Sequence, residues 1–256
     1  TCVELGRGNV VGNHFDEPVL LIKAAWGGHS LVKNFRPPSA GLPDESFLKD
    51  ELEKAQKRVT NSNEKRNRNE ALPTMDDIKS AYGLSYRNML GEVKDTFENY
   101  ETLFPSLKGK TLEIAGFVWF QGWNDQYNGA EKAYGANMEQ FIDNVRTDLK
   151  SPGLPFVIGV MGQNGSKPAK GAMLTIQEAQ LAMETMPKFS SNVKAVRTDV
   201  LIDKAAEKLY PTWKQNIAEW EKTGSDHGYH YLGSAIWHLR MGDAFAKAMI
   251  DLLPSK

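Results

Sequence analysis

Short apolar runs alternate along this chain with longer segments in which apolar residues recur at helical spacing. The runs lie at about 19–25, 112–120, 156–160 and 193–197, as expected of strands. Helical spacing is found at about 172–184 and in three sets of side chains: Met89, Val93, Phe97 and Tyr100; Tyr134, Met138, Phe141, Val145 and Leu149; Leu232, Ile236, Leu239, Ala246, Met249 and Leu253. This alternation predicts an α/β fold, a three-layer α/β/α sandwich with a mostly parallel sheet.

A long polar connection follows the first apolar run. At about 50–80 it is dense in Lys, Arg, Glu and Asn, as in the run NSNEKRNRN at 61–69. We interpret this part as a charged insertion that forms a solvated helix and loop. Neither an internal repeat nor a second domain is visible, so residues 1–256 are interpreted as a single domain.

The composition limits the classes of binding partner that the sequence predicts. A chain of 256 residues can form one α/β domain with a sizeable core. Its 31 Lys and Arg nearly balance 32 Asp and Glu, and it has no apolar run of about 20 residues, so neither nucleic acid nor a membrane is predicted as a partner. Cys2 is the only cysteine, which excludes an internal disulfide and indicates no compartment.

Three segments place polar or glycine residues next to apolar elements. In the run FVWFQGWN at 117–124 the apolar residues give way to Gln121 and Gly122, and the run VLLIKAAWGG at 19–28 ends in Gly27 and Gly28. The segment GSDHGYHYLG at 224–233 precedes the last helical pattern. In open α/β sheets ligands bind outside the carboxyl ends of the strands, so we expect the first two segments to border a site.

With Glu4-Leu5-Gly6 and Phe35-Arg36-Pro37-Pro38, these segments form an ordered set that resembles the sialate O-acetylesterase-like branch of the SGNH hydrolases, which are carbohydrate deacetylases. The resemblance covers nearly the whole chain apart from the charged insertion. It implies the flavodoxin-like SGNH fold, a serine-esterase mechanism without metal or organic cofactor, an acetylated carbohydrate as substrate, and a periplasmic or extracellular location. Sialic acid, xylan and other acetylated glycans all remain open, as does the oligomeric state.

The resemblance assigns the catalytic base to His230. SGNH enzymes commonly have an Asp three residues before this His, where the present chain has His227. Asp226 lies four residues before His230 and is the candidate acid, which would fix the imidazole tautomer. The alternative is a dyad in which His230 bonds a backbone carbonyl. A metal site of His227, His230 and Asp226 is disfavoured because no clear further ligand is present.

The oxyanion donors implied by the resemblance are the backbone N–H of Gly28, or of Gly27, and the side-chain amide of Gln121. Trp26, Trp123 and Asn124 are candidate substrate contacts. Relatives often have an acidic residue after Gln-Gly, whereas this chain has Trp123-Asn124-Asp125. This departure is expected to alter the cleft shape or the sugar preference, unless Asp125 caps the loop.

The family's nucleophile is a serine in a Gly-Gln-Ser-Asn-like motif after the first strand, and this chain has no such motif. The run Gln163-Asn164-Gly165-Ser166 follows a different strand. We therefore expect an N-terminal truncation: the first strand and its serine lie upstream, the fragment alone is inactive, and the sheet has unpaired edges.

Two serines within the chain are weaker substitutes for the upstream nucleophile. Ser30 follows the paired glycines, but adjacent residues such as His29 and Ser30 seldom aim their side chains together. Ser225, beside Asp226, would face away from a substrate bound at Gly28.

Two other classes of protein were weighed. A non-catalytic carbohydrate-binding relative of the esterase would account for the absent serine and the displaced Asp226. A Rossmann-like nucleotide-binding domain is disfavoured, because no G-x-G-x-x-G follows a predicted strand. The upstream gene sequence would discriminate between the esterase and the binding protein.

Overall fold

The computed structural model describes residues 3–254, so Cys2 lies outside the described residues. The strands are β1 (Phe117–Trp119), β2 (Phe156–Val160) and β3 (Val193–Arg197). The α-helices are α1 (Val3–His14), α2 (Glu45–Arg66), α3 (Met75–Ser80), α4 (Leu84–Leu103), α5 (Glu131–Asp148), α6 (Gly171–Thr185), α7 (Lys204–Leu209), α8 (Ile217–Thr223) and α9 (Ala235–Leu252). Short 3-10 helices connect them at Pro38–Ala40, Pro105–Leu107, Trp123–Gln126, Asp199–Leu201, Tyr210–Gln215 and Gly228–Gly233.

The three strands form a parallel sheet in the order β1-β2-β3. Successive side chains of β2 point to opposite faces: Phe156 and Ile158 belong to one apolar cluster, and Val157 belongs to the other. The first cluster contains side chains of α4, α5 and α6, and the second those of α7, α8 and α9. The predicted three-layer α/β/α arrangement is therefore confirmed.

Helix α1 packs along α9 at a close approach of the two backbones. A Cβ on Gly6 would lie 2.6 Å from the carbonyl oxygen of Leu239, and a Cβ on Gly242 would lie 2.1 Å from that of Val3. Only glycine fits at these two positions. The Glu4-Leu5-Gly6 segment is thus a helix-packing element.

Most predicted elements are confirmed. The strands at 156–160 and 193–197 have the predicted bounds, and α4, α5 and α6 cover their predicted segments. The strand predicted at 112–120 is shorter, since only Phe117–Trp119 pairs with β2. The charged insertion is largely the solvated helix α2, in which Leu48 is the buried side chain.

The prediction of a strand at 19–25 is wrong. This segment runs without regular secondary structure, Val19 is exposed, and Lys23 pairs with Glu4 at 3.1 Å. A strand needs a neighbouring backbone to complete its hydrogen bonds. Within the described residues β1 pairs with β2 alone, so no ladder reaches this segment. Its apolar character serves packing instead, because Ala24 and Trp26 contact the core.

The apolar face predicted for the last helix is partly wrong. Helix α9 buries Trp237, Met241 and Phe245 as well as the predicted Ala246 and Met249, whereas Ile236 and Leu239 are exposed. Apolar residues occur on more than one side of this helix, so spacing alone did not identify the buried side. Leu232 precedes the helix and has a left-handed backbone conformation, with φ of 60°.

Candidate functional site

A cleft of about 260 Å³ opens where the chain leaves β1 and β2 at their carboxyl ends. It is lined by Trp26, Gly28, His29, Phe120, Gln121, Gly122, Trp123, Asn124, Met161, Gln163, Tyr229, His230 and Tyr231. The predicted base, both preferred oxyanion groups and the three predicted substrate contacts therefore line one cleft. Gly27 is outside this lining, and Asp226 reaches the cleft through its contact with His230.

His230 and Asp226 form a hydrogen-bonded pair. Nδ1 of His230 lies 2.7 Å from Oδ2 of Asp226, and both side chains are well exposed. The other carboxylate oxygen, Oδ1, accepts the backbone N–H of His227 at 2.7 Å. An acceptor at Nδ1 places the proton of neutral His230 there and leaves Nε2 unprotonated. The irregular loop thus brings the displaced Asp226 to the imidazole.

The pKa of Asp226 lies below its ordinary value. Partial desolvation favours the protonated acid, but the hydrogen bonds from the His227 backbone and from His230 outweigh it. Asp226 is therefore ionised at neutral pH and can stabilise a protonated His230.

The backbone after His230 is strained. Tyr231, Leu232 and Gly233 have successive φ values of 54°, 60° and 60°, all in the left-handed region. For the two non-glycine residues this costs on the order of 1–2 kcal/mol each. Strain of this kind persists only where the surrounding structure holds it, and it is common at functional sites.

Tyr231 anchors this strained turn in the core. Its ring packs against Phe120 and Trp237 at centroid distances of 5.3 and 5.0 Å. Its hydroxyl accepts the backbone N–H of Gly162 at 3.2 Å, at the carboxyl end of β2. The loop that carries His230 is therefore fixed directly to the sheet.

The opposite wall of the cleft is organised by Asp125, which is 0 % exposed. Its carboxylate accepts the backbone N–H groups of Leu31 and Val32, each at 2.8 Å, and the Gln121 amide Nε2 at 2.7 Å. Burial raises the pKa of Asp125, and these three donors act in the opposite direction. Asp125 thus ties the chain after the paired glycines to the Gln-Gly loop.

The Gln121 amide is already engaged. Besides Asp125, its Nε2 donates to the carbonyl oxygen of His29 at 3.1 Å. The same carbonyl accepts Nδ2 of Asn124 at 3.4 Å. Both amide protons of Gln121 therefore have acceptors, and donation to a substrate oxyanion requires the longer bond, to His29, to be given up.

Gly28 has φ of 77°, which strongly favours glycine, and a Cβ added there would meet nothing within 4 Å. Its backbone borders open space in the cleft. The neighbouring His29 ring stacks on Trp26 at a centroid distance of 6.2 Å. Its Nδ1 lies 2.7 Å from Oγ of Ser85, a side chain only 1 % exposed, so this contact holds the ring from its buried side.

No serine, threonine or cysteine is among the described residues that line the cleft. Ser30 is buried and contacts Asn34, and the exposed Ser225 donates to the carbonyl of Gly233. Ser166 donates to Glu207 and accepts from Lys204. Neither substitute weighed from the sequence is presented to His230 in the cleft.

Residues 3–254 offer neither a metal site nor a membrane span. No group of three or more His, Cys, Asp or Glu side chains is placed to hold a metal ion. No helix in this part of the chain has the length and apolar character needed to cross a membrane.

Several cleft residues were not identified from the sequence. His29, Tyr229 and Tyr231 are neighbours of predicted residues, so their proximity was the available signal. Met161 and Gln163 follow β2, and the rule that ligands bind at carboxyl ends of strands applied to that strand too. In the sequence, the Gln163 run resembles only a displaced nucleophile motif.

Comparisons with known proteins find one matching family model and similar proteins from Arabidopsis thaliana. Residues 78–210 match the family model described as carbohydrate esterase, sialic acid-specific acetylesterase. A probable carbohydrate esterase of Arabidopsis thaliana is 35% identical over 74 residues, which are 28% of this chain and 26% of the relative. An X-ray structure of an Arabidopsis thaliana protein aligns with a TM-score of 0.42 at 22% identity, covering 65% of this chain and 52% of that chain.

The fold and the cleft define an α/β domain with an Asp–His pair and a glutamine-bearing loop beside one sheet edge. The family model matches just over half of the chain, and the chain belongs to this carbohydrate esterase family. The matched segment contains Gln121 but neither Gly28 nor His230. The chain spans about a quarter of the length of the curated relative.

Proposed function

We propose that this domain removes O-acetyl groups from carbohydrate by a serine-esterase mechanism. The observation that carries the proposal is the cleft itself: His230, paired with Asp226 at 2.7 Å, shares it with Gly28 and Gln121. A base and two candidate oxyanion donors are what acyl transfer requires beside a nucleophile. Membership of a carbohydrate esterase family supports the same reaction class.

In the proposed reaction a serine Oγ attacks the acetyl carbonyl carbon while its proton moves to Nε2 of His230. The ester bond to the sugar then breaks, and the sugar oxygen takes that proton. Water attacks the acetyl-serine in the same way, and acetate leaves. Asp226 stabilises the protonated imidazole in both halves.

The negative oxygen of each tetrahedral intermediate would be stabilised from the opposite wall. Within the described residues no group accepts a hydrogen bond from the Gly28 N–H, so it is available. Gln121 would exchange its 3.1 Å bond to the His29 carbonyl for one to the oxyanion, while Asp125 keeps the amide oriented. One such donor typically contributes on the order of 100- to 1,000-fold in turnover.

The nucleophile in this proposal is a serine outside the present chain, carried by a strand that pairs with the free edge of β1. Two observations support it. The described lining of the cleft has no hydroxyl or thiol nucleophile. In addition, β1 has a hydrogen-bonded neighbour on one side, β2, and a further strand on the other side would end at the same edge of the sheet.

The test is acetate release by the full-length gene product from 4-nitrophenyl acetate and from acetylated xylan. We expect His230→Ala to lower kcat at least about 1,000-fold, because the proton acceptor is lost. Asp226→Asn should lower kcat by up to about 10,000-fold, since the imidazolium loses its charged partner. The matched control is His14→Ala, an exposed histidine at the end of α1, which should leave turnover unchanged.

Wild-type protein that binds acetylated sugar without releasing acetate would contradict the esterase and favour a non-catalytic binding protein. Acetate release that survives His230→Ala would contradict the assigned base.

A further inference from the structure

We propose that a row of aromatic rings leading out of the cleft is a second sugar subsite, so that the substrate is an acetylated oligo- or polysaccharide and not an isolated sugar. The inference rests on the proposed function. The row starts at Tyr229 in the cleft wall, continues with His227 and ends at Trp213 in the 3-10 helix Tyr210–Gln215.

The rings are continuous from the cleft outward. Tyr229 lies beside Trp123 of the cleft wall at a centroid distance of 5.9 Å, and it stacks on His227 at 5.3 Å with an interplanar angle of 29°. The next step, from His227 to Trp213, is 6.2 Å. The Tyr210 hydroxyl lies 3.3 Å from Nδ1 of His227 and accepts the Gly228 N–H at 3.3 Å, which fixes the row.

Two of the three rings are exposed, since Tyr229 is 42 % exposed and His227 is exposed beside it. Trp213 is half-buried and packs partly against the second apolar cluster. Contiguous exposed apolar surface continuous with a cleft is typical of a ligand site. Aromatic faces pack on the CH faces of sugar rings, and the tyrosine and histidine edges add polar groups for hydroxyls.

The size of the cleft argues for a ligand that extends beyond it. Its volume of about 260 Å³ is below the range of about 300–1,000 Å³ usual for small-molecule pockets. A cleft of this size suits one sugar with its acetyl group, and the aromatic row would then receive the next unit of a glycan. Among the described lining residues there is no Lys or Arg that would pair with an anionic sugar in the cleft. At the far end, the Lys214 ammonium over Trp213 offers a donor to a hydroxyl.

The inference is tested by calorimetric binding to the full-length gene product carrying His230→Ala, so that esters persist. The probes are acetylated xylose and acetylated xylopentaose. We expect the pentamer to bind about 10-fold tighter, a gain of one stacked aromatic contact. Adding Trp213→Ala should bring the two affinities together, and adding His227→Ala, an exposed position that does not threaten folding, should lower their ratio.

The matched control is Tyr127→Ala, an aromatic side chain 53 % exposed and outside the row, which should leave the ratio unchanged. Equal affinity for both probes, or a ratio that neither Trp213→Ala nor His227→Ala lowers, would overturn the subsite. Binding that depends on chain length without any acetate release by the wild type would sink the esterase proposal and keep the subsite. Acetate release by the wild type, together with equal affinity for the short and the long probe, would support the esterase and overturn the subsite.

Discussion

The two walls of the cleft are held in place by opposite means. On one side, the fully buried Asp125 gathers three N–H donors and fixes Gln121 beside the glycine loop. On the other side, His230 and Asp226 are exposed and lie on a turn with consecutive left-handed residues, which Tyr231 anchors to the sheet.

This difference matches the demands of the proposed chemistry. Groups that stabilise an oxyanion act best when they are oriented before the reaction and shielded from water. A general base must exchange protons with substrate and solvent, so exposure suits it. Substitutions in the first wall should therefore destabilise the protein by removing buried hydrogen bonds. Substitutions in the second wall should do so by disturbing its left-handed backbone.

The largest expected effect on stability breaks the buried wall. Asp125→Ala leaves the N–H groups of Leu31 and Val32 and the Gln121 amide without their acceptor, and should lower the free energy of unfolding by about 3 kcal/mol. Urea denaturation measures it. Asp16→Ala removes an exposed aspartate and should stay within about 0.5 kcal/mol of wild type. Equal losses in the two variants would contradict the role given to Asp125.

The next largest effect is expected from a substitution in the left-handed turn at 231–233. Gly233→Ala adds a Cβ that would lie 2.3 Å from Oγ of Ser225 and 2.8 Å from N of Asp226, at a φ of 60°. We expect a loss of roughly 2 kcal/mol and a displaced Asp226. Gly228→Ala, in the same loop but in open space, should cost less than about 1 kcal/mol. Thermal unfolding of the pair checks this, and equal tolerance of both changes would contradict the strained turn.

A smaller effect concerns the anchor. Tyr231→Phe removes the hydroxyl that accepts the Gly162 N–H and should cost about 1 kcal/mol in urea unfolding. Tyr229→Phe is the matched control, because that side chain is 42 % exposed and its hydroxyl does not anchor the turn in the core. If both variants unfold alike, the Tyr231 hydroxyl does not hold the turn.

The smallest expected effect is a change in the pKa of Asp226. The pKa of Asp226 is lowered in the folded protein, so its contribution to stability is complete above the unfolded value of about 3.9 and is lost as the pH falls through the folded pKa. Carboxyl NMR should report a pKa below 3.9 in wild type and a higher value in His230→Ala. An unchanged pKa in the variant would show that the pair does not interact in solution.

Much of the fold could be predicted from local patterns. The strand at 156–160 is buried on both faces and reads as a continuous apolar run, and the spacing from Tyr134 to Val145 marks the buried side of α5. The segment at 19–25 shows the limit, since its apolar residues pack on the core without a strand partner. Whether a segment pairs as a strand depends on residues distant in the sequence, so its own composition does not predict the pairing.

The candidate site also has features that could be predicted from the sequence and features that could not. The family resemblance pointed to Gly28, Gln121 and His230, and the structure brings all three to one cleft. The acceptors of Gln121 could not be predicted, since Asp125 and the His29 carbonyl reach it only through folding of the loops. The left-handed conformation of Tyr231 and Leu232 also had no sequence signal, because neither residue type favours it.

The central proposal is that this cleft activates a serine that lies outside the chain. The most direct measurement treats the full-length gene product with a fluorophosphonate, which reacts with activated serines, and maps the modified residue by mass spectrometry. We predict one labelled serine outside residues 1–256 and much slower labelling in His230→Ala. A label on a serine within the chain, or labelling at the same rate without His230, would contradict the account.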